Sequence, residues 1–279
     1  MLGTASCDRL DIAGMFVSSG PRTEDRVAEW LIYDTIAGPR TIVGVPDNYK
    51  VYVCSDIHVT DSAPRFEAFL RAEKNDPDAI FSILNGDLGN ESGEDPYRVV
   101  SQAISNNSSS LADTCFVVIG NHDIYFDCYN YFKQYFHTST YYVEVQTVSG
   151  VKDLFVFMDS GNATHGLLQT EWLRRLLERR EDYRHVVVAS HTCLFRNSYN
   201  YSTTPAANLP LEETYQLFDI LSSHNVDLFL MGHFHHKEDH VIGGVQYVMT
   251  SNLNTETETP SYVVVELGHQ VGYRYEDLH

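Results

Sequence analysis

Short runs of Val, Ile, Phe and Leu recur along this chain, and each stops abruptly at a polar cluster. Val51-Tyr52-Val53-Cys54 gives way to Ser-Asp-Ile-His, residues 79–84 to Asn-Gly-Asp, and 116–119 to Gly-Asn-His-Asp. Further runs cover residues 154–158, 185–189 and 226–231. Runs this short and this rich in β-branched and aromatic residues predict buried strands. Helical patterns lie between them, at about 21–36, 64–74, 96–105, 127–136, 170–181 and 211–224. The 170–181 segment shows an apolar stripe of Trp172, Leu173, Leu176 and Leu177 beside Arg174, Arg175 and Glu178. Strands alternating with helices specify an α/β layered fold. The tail differs: 245–250, 262–267 and 271–275 are strand-like with turns but no helix between them, and read as antiparallel strands finishing a second sheet. No repeat or shift in composition marks a second domain. A single domain over 49–279 is expected, preceded by a segment, 1–48, that carries the first helix.

The polar clusters hold the chemistry. Asp56 and His58 follow the first of these runs, Asp87 the second, Asn121 and His122 the third; His191 follows the run at 185–189, and His233 and His235 the run at 226–231. In open α/β sheets the carboxyl ends of the strands form the ligand crevice, so residues far apart in sequence converge there. Two Asp, one Asn and several His form a mixed oxygen and nitrogen ligand set suited to divalent manganese, iron or zinc. Each cluster alone has a plainer reading. Asp-x-His arises by chance, Gly-Asp is a common turn, and His-x-His is more often a surface pair. Five such clusters in order, each at the end of a predicted strand, are hard to obtain that way.

Asp56-Ile57-His58, Gly86-Asp87, Gly120-Asn121-His122-Asp123, His191 and Gly232-His233-Phe234-His235 resemble the five motifs of the calcineurin-like metallophosphoesterases. The resemblance covers roughly residues 50–250, and Phe132 to Tyr142 is similar to the segment after the third motif in bacterial members. It implies a four-layer αββα sandwich with two mixed sheets and a binuclear metal site between the strand ends. By the same resemblance Asp56, His58 and His235 bind the first ion, Asn121, His191 and His233 the second, and Asp87 bridges them, one carboxylate oxygen to each. The implied activity is hydrolysis of phosphate esters by a metal-bridged hydroxide. His122 is the implied general acid, with Asp123 orienting it or raising its pKa. A pyrophosphate-bond hydrolase acting on a nucleotide-sugar or lipid-linked substrate is the alternative enzyme; a catalytically silent metal-binding scaffold is the alternative outside enzymes. Purple acid phosphatases are similar but carry a Tyr three residues after the bridging Asp. Here that residue is Asn90, which argues against the ferric branch.

With 38 acidic against 19 basic residues the net charge is −19, which disfavours nucleic acid as a partner, because such binding depends on Lys and Arg replacing counterions. A small phosphorylated substrate is the expected partner. The five cysteines include no CxxC and form neither a disulfide framework nor a zinc ribbon. Leu2-Gly3-Thr4-Ala5-Ser6 before Cys7 resembles the tail of a bacterial lipoprotein signal. That resemblance implies lipidation at Cys7, a membrane association through it and a place in the cell envelope; without it the expectation is cytoplasmic. The aperiodic stretch 194–210 leaves directly from His191 and can form a wall or lid. There Arg196 is a candidate for a substrate phosphate and Tyr199 or Tyr201 for stacking on a base or sugar, against the plainer reading of a solvated loop. Tyr125, Phe126, Tyr129, Tyr131 and Phe132 read as core, and His137, His165, His185, His224, His236, His240, His269 and His279 as surface residues.

Overall fold

The structure, a computed structural model, describes residues 20–37, 40–90, 92–107, 115–195, 208–254 and 257–279. Two mixed sheets face each other, with helices on both outer sides. The smaller contains β2 (Tyr49–Cys54), β3 (Ala79–Asn85), β4 (Cys115–Val118), β11 (Ser261–Leu267) and β12 (Val271–Asp277), in the order β12-β11-β2-β3-β4. The larger runs β1-β5-β6-β7-β8-β10-β9, built from β1 (Arg40–Val45), β5 (Tyr141–Thr147), β6 (Lys152–Met158), β7 (Val186–Ser190), β8 (Leu228–Met231), β9 (Glu238–Ile242) and β10 (Val245–Met249).

The period of two along each strand explains the four layers. Val51 and Val53 of β2 point inward, where they join Phe81, Ile83, Phe155, Phe157, Val187 and Leu230 in a core shared by both sheets. Tyr52 and Cys54 point outward and pack with Phe66, Phe69, Tyr97, Val100 and Phe132, from α2 (Pro64–Asn75), α3 (Asp95–Asn107) and α4 (Cys128–Phe136). Val186, Val188 and Phe229 on the outer side of the larger sheet meet Leu173 and Leu177 of α5 (Gly166–Leu177) and Leu217, Ile220 and Leu221 of α6 (Leu211–Ser223). Strands buried on both faces have no polar side to show, which is why they read as continuous apolar runs.

The described residues before β2 belong to the same body. Strand β1 pairs in parallel with β5. In α1 (Thr23–Ala37), Arg26 is fully buried and makes a bidentate ion pair with Asp159, at 2.8 and 2.7 Å. No helix among the described residues is long and apolar enough to cross a membrane.

Several expectations need correction. The tail strands divide between the sheets: β10 lies parallel to β8 in the larger, whereas β11 is antiparallel to β2 and β12 closes the edge of the smaller. The fifth helix starts four residues earlier than expected and ends at Leu177, with Arg180–Asp182 in a separate 3-10 turn. His165 and His185 are buried, not on the surface, because each ring finds a partner: Ser190 Oγ at 2.8 Å and the Gly268 carbonyl at 2.9 Å. Of the five aromatics after the third motif, Tyr125, Tyr129 and Phe132 lie in the core and Tyr131 packs half-buried against it, but Phe126 is exposed.

Candidate metal centre

Strands β2, β3 and β4 run parallel, as do β7 and β8, so the polar loops at their carboxyl ends meet where the two sheets adjoin. Asn85 at the end of β3 ties that junction. Its carbonyl accepts from Ser55 Oγ at 3.0 Å and faces His191 Nδ1 at 2.8 Å, while its Nδ2 donates to the Ser190 carbonyl at 3.2 Å. With Nδ1–H held by that carbonyl, His191 presents Nε2 to the centre. Sequence reasoning missed Asn85 and Ser55, because their partners lie on strands whose adjacency no local pattern encodes.

Asp56, His58, Asp87, Asn121 and His191 are buried, and His233 and His235 are half-buried. His235 Nε2 lies 3.1 Å from Asp56 Oδ1 and 3.2 Å from His58 Nε2, and His58 Nε2 lies 3.8 Å from Asp56 Oδ1. On the other side His191 Nε2 is 3.2 Å from both Asp87 Oδ2 and Asn121 Oδ1. Ligand atoms of Asp87, His191 and His233 lie within 4.8 Å of one another, as do those of Asp56, His58 and His235. Bonds of about 2.0–2.2 Å to one ion place its ligand atoms roughly 3–4 Å apart, so these spacings fit.

The donor chemistry agrees. Asp56 Oδ1 is buried and accepts no hydrogen bond among the described residues, a costly arrangement unless a cation faces it. Its other oxygen is committed to Ser55 Oγ at 2.5 Å and the His233 amide at 3.0 Å. Burial opposes protonation of His191, yet Asp87 and then Asp56 outweigh it and raise the imidazole to about 10. Burial and the neighbouring His122 push His58 down to about 3. The carboxylates thus draw positive charge to the centre, where His191 holds a proton in the absence of a metal ion, and His58 is left neutral as a donor.

Asp87 Oδ1 accepts the His122 amide at 2.8 Å, and its Oδ2 lies 3.2 Å from His191 Nε2 and 3.9 Å from His58 Nε2. One expected role changes. Asp123 does not hydrogen-bond the His122 ring. Its buried carboxylate accepts the amides of Gly120 (2.9 Å), Asp87 (3.0 Å) and Leu88 (3.1 Å), together with Tyr97 Oη (3.3 Å), and so binds the second and third motif loops together. Burial and then Asp87 raise its pKa to about 7. Two glycines are required by close approach. A Cβ on Gly120 would sit 2.1 Å from Asp87 Oδ1, and one on Gly86, at φ +92°, 2.4 Å from His191 Nδ1.

His122 is half-buried at the margin, its ring 4.6 Å from that of His58. Asn90, where the ferric enzymes carry Tyr, is exposed. His236 and His240 turn away from the centre and share the Glu238 carboxylate, at 2.9 and 2.6 Å. Arg196, Tyr199, Tyr201 and Cys7 lie outside the described residues.

The family profile described as calcineurin-like phosphoesterase matches residues 49–237, which contain every residue of this cluster. The chain belongs to the calcineurin-like phosphoesterase family. As a member it is a metal-dependent phosphoesterase, and the cluster contains residue groups that could hold divalent ions. Among solved structures, the chain is similar to GAP50 of Plasmodium, described as the anchor in the inner membrane complex, with TM-score 0.58, 13% identity, and 82% of this chain and 84% of that one covered. A dimetal phosphatase from Danio rerio gives TM-score 0.55 at 14% identity, covering 84% of this chain and all of the other. Purple acid phosphatase from yellow lupin gives 0.58 at 12%, covering 83% and 52%. At these identities the likeness is one of fold. No curated protein matches the sequence.

Proposed function

We propose that this phosphoesterase hydrolyses small phosphate esters with two divalent ions, of manganese, iron or zinc. Asp56, His58 and His235 would hold one ion and Asn121, His191 and His233 the other, with Asp87 Oδ2 between them. The observation that carries this reading is the Asp87 carboxylate, which lies with His58 and the half-buried His122 on one side and with His191 and His233 on the other, next to the group of Asp56, His58 and His235. When bound, the ions supply Lewis acidity toward phosphoryl oxygens and lower the pKa of the attacking water.

The protein's own groups do the rest. The Asn85 carbonyl keeps His191 in the tautomer that presents Nε2. Asp123 fixes the Asp87 and Gly120 backbones, so the shared carboxylate and the third motif keep their spacing. His122, anchored through its own amide to Asp87 Oδ1, can hand a proton to the departing ester oxygen. The net charge of −19 opposes long polyanions and favours a substrate small enough to be governed by the local field of the centre.

The test is a set of esters graded by leaving-group pKa, assayed with manganese, iron, zinc and magnesium. An aryl oxygen with an acidic phenol leaves unaided, whereas an alkyl or ribose oxygen does not. His122→Ala should lose about 10²–10⁴-fold on alkyl esters and far less on nitrophenyl esters, at unchanged metal content. An equal loss across leaving groups would place His122 on the phosphoryl oxygens and end its assignment as the acid.

A further inference from the structure

Asn121 carries its donor oxygen on an amide, and an amide needs partners at both ends. Its Oδ1 faces His191 Nε2 at 3.2 Å inside the cluster. Its Nδ2 points the other way and donates to the hydroxyl of Tyr125 at 2.8 Å. Both residues are buried. A buried NH2 without an acceptor is costly, and the oxygen and nitrogen ends of an amide are nearly the same size, so a partner for Nδ2 decides how firmly Oδ1 is aimed. The same tyrosine ring lies 5.0 Å from the His122 ring, whose other neighbour is His58 at 4.6 Å. One side chain therefore touches a donor of the second ion through its hydroxyl and the candidate acid through its ring.

We propose that Tyr125 is a positioning residue with two separable functions: its hydroxyl holds the Asn121 amide with Oδ1 toward the second ion, and its ring sets the orientation of His122. The proposal rests on the two-ion reading above. Tyr125 lies four residues beyond Asn121, across the 3-10 turn His122–Ile124, and that turn brings the phenol back over the amide. Outer partners of this kind typically change metal affinity by about 10–100-fold, because a free ligand must be ordered each time the ion binds.

Two substitutions separate the functions. Tyr125→Phe keeps the ring and removes the acceptor; Tyr125→Leu removes both. Titration of the metal-free protein with Mn²⁺ should show the second ion bound about 10–100-fold more weakly in Tyr125→Phe, with the first ion unchanged. Its kcat should recover at saturating Mn²⁺, and its dependence on leaving-group pKa should match wild type. Tyr125→Leu should show the same weakening and also a steeper dependence on leaving-group pKa. In an Asn121→Ala background, Tyr125→Phe should weaken the second ion no further, since the amide it serves is gone.

A merely structural role would lower the melting temperature and weaken both ions alike, and that outcome overturns the proposal. So does wild-type affinity for both ions in Tyr125→Phe, or an additive loss in the Asn121→Ala background. If wild-type protein itself binds fewer than two Mn²⁺, the two-ion reading fails and the proposal with it. If wild type binds two and Tyr125→Phe is unaltered, the proposal alone fails.

Discussion

Asp56, His58, Asp87, His233 and His235 hold positive φ, from 48° to 79°. A side chain in that left-handed region costs roughly 1–2 kcal/mol, because Cβ crowds the following carbonyl. The strain sits where strands end and loops must turn side chains back toward one point. It predicts an ordering that runs against the usual effect of glycine. In metal-free protein, His58→Gly should be more stable than His58→Ala by about 1 kcal/mol, since both delete the imidazole and only alanine keeps the strained Cβ. Equal or reversed stabilities in urea unfolding would show that φ +48° at this position carries no cost. Asp123 supports a second prediction at this scale. Asp123→Ala strands three buried amides, and at about 1–3 kcal/mol for each unsatisfied group it should cost at least 3 kcal/mol while leaving His122 without the loop that carries it. A loss below 1 kcal/mol by the same unfolding measurement would mean that the loops do not depend on it.

Among elements, α1 is joined to the larger sheet by a buried charge. Arg26 and Asp159 are both fully buried and doubly hydrogen-bonded, with Arg26 Nη1 also donating to Asn162 Oδ1 at 2.9 Å. Removing one partner leaves the other charge uncompensated, so Arg26→Met should cost about 3–5 kcal/mol. The double change Arg26→Met with Asp159→Leu should recover much of that loss, which thermal or urea unfolding of the three variants would reveal. This ion pair was not legible in the sequence, since Arg26 and Asp159 are 133 residues apart and no local pattern encodes their meeting. Strands β1, β5 and β9 escaped for a related reason. Glu144 interrupts the apolar pattern of β5 yet is buried, because Tyr183 Oη at 2.6 Å and Lys152 Nζ at 3.0 Å satisfy it, and β9 is an edge strand with charged residues. By contrast, all seven candidate donors and His122 could be named from the sequence, because apolar runs cut short by Asp, Asn or His recur in order and match the motifs of the family they resemble. What could not be read was which oxygen of Asp87 faces the centre, or that Asp123 serves the loops, because both depend on where separate strand ends come to rest.

At the scale of the whole molecule, acid should loosen the fold through His165. Burial lowers its pKa from 6.5 to about 4, so the folded protein keeps it neutral against Ser190. Between pH 6.5 and 4 the unfolded chain binds the extra proton and the folded one does not. Stability from this group is therefore fully present above 6.5 and is lost as pH falls through that window, by about 3 kcal/mol at the end. His165→Gln should show a flatter decline of melting temperature over the same range; an unchanged slope would assign the acid sensitivity to other groups. Two sheets packed face to face, with the carboxyl ends of their parallel strands at the same end of the sandwich, also explain why the centre draws on both: Asp56, His58, Asp87 and Asn121 come from the smaller sheet, and His191, His233 and His235 from the larger. Asp87 Oδ2 stands between the two donor sets, 3.2 Å from His191 Nε2 and 3.9 Å from His58 Nε2. The number of Mn²⁺ ions bound per chain, counted by native mass spectrometry for wild type and for Asp87→Asn, therefore tests the account most directly. The expected result is two ions in wild type and at most one in the variant; a single ion in wild type, or two retained without the Asp87 carboxylate, would contradict a shared two-ion centre.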